Sequence, residues 1–120
     1  MSVTITKTAG RAVEITWAPE DDPHGYLARA VEGDQLAYAL EALGDGASLT
    51  EYSVDAALQA AMHTKALAKE LDRRAAKQVV TLREQHGLSW GQIATVVLDD
   101  AARQSAVRRM YESGLRHLGR

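Results

Sequence analysis

Hydrophobic and polar positions alternate over Val3–Trp17. Val3 and Ile5 share one face with Thr4 and Thr6 opposite, and Val13, Ile15 and Trp17 share a face with Glu14 and Thr16 opposite. A period of two predicts strands, and Thr8-Ala9-Gly10-Arg11 between them offers a turn, so the segment reads as a β-hairpin. Because an isolated hairpin is marginal in water, its apolar face is expected to pack on helices or to pair across a dimer. Ala18–Gly25 follows with both prolines of the chain and the acids Glu20, Asp21 and Asp22, which predicts a loop.

The period then lengthens to that of a helix. Leu36, Leu40 and Leu43 share a face over Gln35–Leu43, with Asp34 placed to cap the start and Gly44 placed for a left-handed C-terminal cap. The chain is expected to turn over Gly44–Ala47. Ser48-Leu49-Thr50-Glu51 has capping-box spacing and Ser53 offers a second start. From there to His86 no proline or glycine intervenes. Leu67, Leu71, Ala75, Val79 and Leu82 keep a helical spacing that Met62-His63-Thr64-Lys65 blurs, so residues 49–86 read as one helix or as two. An unbroken helix here would span roughly 50 Å and would imply a dimer. Gly87 stops it, and Ser89 with Gln92 forms a capping box for a short helix from Trp90 that turns Ile93, Ala94 and Val97 inward. After Leu98-Asp99-Asp100, where either aspartate can cap, a helix is expected over Ala101–Ser113 with Ala102, Ala106, Val107 and Met110 inward. The expected class is therefore mainly α, with an N-terminal β-hairpin and a C-terminal trihelical helix-turn-helix.

Charge divides the chain more sharply than composition does. The net charge is −2, but residues 1–62 hold three basic and ten acidic side chains, −7 in all, whereas residues 63–120 hold eleven basic and six acidic, +5 in all. Two regions follow: residues 1–62, a hairpin with acidic helices for dimerisation or partner binding, and residues 63–120, basic and helical. A basic face suits an anionic partner, and an acidic half suits a basic protein or none. The chain holds no cysteine, which removes disulfides, thiolate nucleophiles and cysteine-based metal sites. His24, His63, His86 and His117 show no metal-ligand pair at i, i+4, and Glu20, Asp21 and Asp22 lack the spacing of a calcium loop. No nucleophile elbow or phosphate loop appears, so no enzyme, catalytic residue, metal or cofactor is expected. Without an apolar run of membrane length or a signal-like N-terminus, the expected location is cytoplasmic, with no membrane partner.

The stretch Leu82-Arg83-Glu84-Gln85-His86-Gly87-Leu88-Ser89-Trp90-Gly91-Gln92-Ile93-Ala94, continued by Ala102-Arg103-Gln104-Ser105-Ala106-Val107-Arg108-Arg109-Met110-Tyr111, resembles the small helix-turn-helix DNA-binding proteins common in actinobacteria. The resemblance covers about residues 75–114. It implies that Arg103, Gln104 and Arg108 lie on a recognition helix and meet DNA. In the family the turn runs Leu-Gly-Val-Ser-Arg; here Val97–Arg103 is about two residues longer and carries Asp99 and Asp100. Side-chain chemistry is compatible, because arginine can read guanine and glutamine can read adenine in the major groove. Arg83, Arg109, Arg116 and Lys77 are candidate phosphate contacts, within a basic series that includes Lys69, Arg73 and Arg74. The expected function is sequence-specific binding of double-stranded DNA as a transcriptional regulator, as a homodimer with two recognition helices about one duplex turn apart. The alternative is an adaptor that keeps the helix-turn-helix as a scaffold and binds a protein.

Overall fold

The computed structural model describes residues 3–44 and 53–120. Among them the chain is mainly helical behind one antiparallel hairpin. The order is β1 (Thr4–Ala9), β2 (Ala12–Thr16), α1 (Tyr26–Glu32), α2 (Gln35–Leu43), α3 (Val54–Glu84), α4 (Trp90–Val97) and α5 (Gln104–His117). The chain divides into two compact units, residues 1–64 and 65–120.

In the first unit, Ile5 pairs with Ile15 and Lys7 with Val13, which places the apolar alternation of both strands on one face. Among the described residues that face stays largely open: Ile5 is 65% exposed and Val13 54% exposed, while Ile15 and Trp17 are half-buried. The acidic loop works as local bracing. Asp22 accepts hydrogen bonds from the backbone N–H groups of Leu27 (2.9 Å) and Ala28 (3.0 Å), at the first turn of α1, and Asp21 accepts one from Ala18 N–H at 2.9 Å. The two amides hold the Asp22 carboxyl below its ordinary pKa. Helix α2 has the expected bounds, but its ends differ from expectation. Asp34 occupies the N-cap position in a left-handed conformation without a side-chain cap, and Gly44 has φ −75°, which is not left-handed.

Helix α3 is continuous across Met62–Lys65. Thr64, the β-branched residue there, donates its hydroxyl to Ala60 O at 2.8 Å within the preceding turn, and no glycine or proline interrupts. Ser53 accepts from Ala56 N–H at 3.2 Å, so it caps α3; the alternative start at Ser48–Glu51 and the turn over Asp45–Ala47 lie outside the described residues.

The second unit has a small core of Val79, Ile93, Ala94 and Val107, flanked by Leu82, Leu88, Trp90, Leu98, Met110 and Tyr111. The inward face of α3 is Ala76, Val79 and Val80; Leu71, expected inside, is exposed. The contact of α3 with α5 turns on Gly114. Without a side chain there, α5 comes so close to α3 that a Cβ on Gly114 would overlap the Ala76 carbonyl oxygen and lie 2.7 Å from Val80 Cγ2, which fixes the side of α3 facing α5. Gly87 ends α3 as expected, at φ 65°, with Leu88 N–H bonded to Leu82 O. The capping box of α4 is complete: Gln92 N–H donates to Ser89 Oγ at 3.1 Å and Ser89 N–H to Gln92 Oε1 at 2.8 Å.

Candidate nucleic-acid interface

Helix α5 begins three residues later than the Ala101 expected and runs past Gly114 to His117. Leu98 to Arg103 form the connection. Asp99 takes a left-handed conformation (φ 54°), and Asp100 accepts from Ala102 N–H at 2.9 Å while its own N–H returns to Ala94 O at 3.2 Å. Neither aspartate caps α5. Arg103 holds that position with its side chain outside the cap, and Ala102, expected inward, is exposed outside the helix. Val107 and Gly114 are buried, whereas Ala106 is only half-buried. At about 100° per residue, the direction opposite Val107 is occupied by Ser105, Arg109, Glu112 and Arg116, and Arg108 lies about 100° from Val107. All five are exposed.

The seven residues singled out in the sequence therefore have different settings. Arg103, Arg109 and Arg116 are exposed and, among the described residues, their guanidinium groups form no hydrogen bond or ion pair. Arg108 is exposed with its guanidinium 5.6 Å from the Trp90 ring centroid. Gln104, the first residue of α5, lies across the first turn of α4, where a Cβ on Gly91 would sit 3.3 Å from its Nε2. Arg83 is half-buried and structural. Its guanidinium lies 4.3 Å from the Trp90 centroid and donates to Leu88 O at 2.9 Å, which ties the end of α3 to the start of α4. Lys77 is half-buried, about 160° around α3 from Val79 but about 60° from Val80, so it flanks the side of α3 that packs on α5. Glu70 holds Arg73 (3.0 Å) and Arg74 (2.7 Å) in ion pairs that lower its pKa, the Arg74 hydrogen bond most.

Trp90 organises this end of the unit. It meets Tyr111 edge-on at 5.3 Å and lies beneath both Arg83 and Arg108. The sequence marks Trp90 only as the first residue of α4, because its partners are seven residues before it and 18 and 21 after it, separations that no local pattern encodes. Behind it, Tyr111 donates its hydroxyl to Glu84 Oε1 at 2.8 Å and Arg120 donates to Glu84 Oε2 at 2.6 Å. The Tyr111 bond, then the Arg120 bond, lower the Glu84 pKa, and the same bond to Glu84 raises that of Tyr111. The two shifts agree.

A carboxylate whose folded pKa is depressed contributes stability above its unfolded pKa and loses it as pH falls through the folded value. Stability due to Glu84 is therefore expected to persist above about 4.5 and to fade below it. In denaturant titrations at stepped pH, Glu84→Gln is expected to flatten the acid limb below that point; parallel limbs for the two proteins would remove Glu84 as its source.

Among the described residues no cluster of His, Asp and Glu could hold a metal ion, and no helix is long and apolar enough to cross a membrane. Compared with protein-family models, curated proteins and solved structures, the chain matches none.

Proposed function

We propose that this chain binds double-stranded DNA through the exposed face of α5, with α4 and α5 acting as a helix-turn-helix. The observation that carries this reading is the exposed set Arg108, Arg109 and Arg116 on α5, with the exposed Arg103 at its N-terminus. Arg109 and Arg116 project from the side of α5 opposite Val107 and Gly114, which are locked in the core, Arg108 lies at the edge of that side, and Glu112 is the one acid on the helix. A rigid helix with unpaired guanidinium groups is suited to enter a major groove, where arginine reads guanine O6 and N7. Arg109, at the centre of the exposed face, joins Arg103, Gln104 and Arg108 as a base reader. Arg116, two turns further along, is suited to a phosphate, and Arg83 supports the site from within. Regulation of transcription is the role that such binding would serve.

Binding is tested on DNA fragments enriched by the protein from a random pool. Arg103→Ala, Arg108→Ala and Arg109→Ala are each expected to weaken the selected site by about 1 to 3 kcal/mol and to relax preference at one base position. Unchanged titration curves and unchanged base preference in all three would exclude α5 as the reading helix.

A further inference from the structure

We infer that the N-terminal half of α3 is a self-association surface on which a second copy of this chain packs antiparallel, centred near Ala60. The inference does not depend on the DNA-binding reading. Its first support is an apolar stripe that nothing among the described residues covers. Val54, Leu58 and Met62, at successive i, i+4 positions, are 76%, 62% and 52% exposed, and Ala61 lies exposed beside them. Helix α2 meets α3 elsewhere: Tyr38 stacks on His63 with centroids 4.4 Å apart, and His63 is about 140° around the helix from Leu58.

Charge selects the occupant. The acids of the first unit are concentrated outside this segment, and residues 54–69 contain one acid, Asp55, against Lys65 and Lys69. Two copies can therefore approach here without bringing their acidic surfaces face to face. Asp55 and Lys65 lie five residues either side of Ala60, and Leu58 and Met62 lie two residues either side of it. In an antiparallel pair with its two-fold axis at that level, Leu58 opposes Met62 of the second copy and Asp55 opposes Lys65 of the second copy, each twice. A parallel pair would set Lys65 against Lys65 and Asp55 against Asp55. The surface is thus complementary to itself in one orientation, as a two-fold interface requires.

The chain has no cysteine, so single introduced thiols report orientation directly. Sedimentation equilibrium at micromolar concentration is expected to give a dimer, and Leu58→Glu, a change at an exposed position, is expected to raise its dissociation constant about tenfold or more with unchanged helix content. A short bis-maleimide crosslinker is expected to join Ala61→Cys chains, whose thiols would be offset by about 3 Å along the axis, and not Val54→Cys chains, offset by about 18 Å. Asp55→Lys is expected to weaken the dimer, and adding Lys65→Asp to restore it. A monomer mass for the unaltered protein, a dimer indifferent to Leu58→Glu, or equal crosslinking at both positions would overturn the inference.

Discussion

Gly114→Ala is expected to destabilise the α3–α4–α5 unit by about 2 to 3 kcal/mol, against the usual sign for this change in a helix. Alanine in a helix interior is ordinarily favoured over glycine by about 1 kcal/mol. Here the gain is outweighed, since the new methyl group would overlap the Ala76 carbonyl oxygen and crowd Val80 Cγ2. The Ala76 carbonyl belongs to the backbone of α3, so no rotamer change relieves the overlap. Helices α3 and α5 must separate, which loosens their packing around Val79 and Val107, both almost wholly buried. Urea unfolding monitored by circular dichroism measures the difference. A gain in stability would show that the close approach of α5 to α3 does not exist in solution.

The second large effect is expected at Trp90. Replacement by alanine removes the ring on which Arg83 and Arg108 rest and that Tyr111 meets edge-on. Large aromatic truncations in cores cost about 3 to 5 kcal/mol. Trp90 is half-buried, so a loss of about 2 to 4 kcal/mol is expected. Trp90→Phe keeps an aromatic face for the two arginines and is expected to recover at least about half of it. DNA affinity offers a separate readout under conditions where both variants are folded. Trp90→Ala leaves Arg108 without its platform, whereas Trp90→Phe retains one, so the alanine variant should bind more weakly. Equal stability of Trp90→Ala and the unaltered protein would contradict the anchoring role.

Local signals in the sequence were read well where they act locally. The hairpin register follows from alternation, the bounds of α2 from its leucines, and α4 from the Ser89–Gln92 box and the left-handed Gly87. Helix α1 was missed because seven residues are too few to display a period, and its bracing comes from Asp22, outside the helix. In α5 the same residue misled twice. Gly114 reads as a stop, which would end the helix at Ser113, but it serves close packing and the helix continues. Of the expected inward residues Val107 is buried, whereas Ala106 and Met110 are only half-buried, and the buried pair Val107 and Gly114 lies roughly 70° around the helix from them, which puts Arg109 at the centre of the exposed face. The arginines were visible as a group. Their individual settings were not, since the Arg83–Trp90 contact and the placement of Gln104 over Gly91 arise only when α3, α4 and α5 pack together.

The most direct measurement of the central claim is fluorescence anisotropy of labelled duplex DNA titrated with the 120-residue protein across a salt series. If Arg116 neutralises a phosphate while Arg103, Arg108 and Arg109 read bases, log affinity should fall against log salt with a slope of about −1 or steeper, each further phosphate contact adding about −0.9. Arg116→Ala should reduce that slope by about one. Failure to bind at low salt, or an affinity indifferent to salt, would contradict DNA binding through α5 and favour a protein partner.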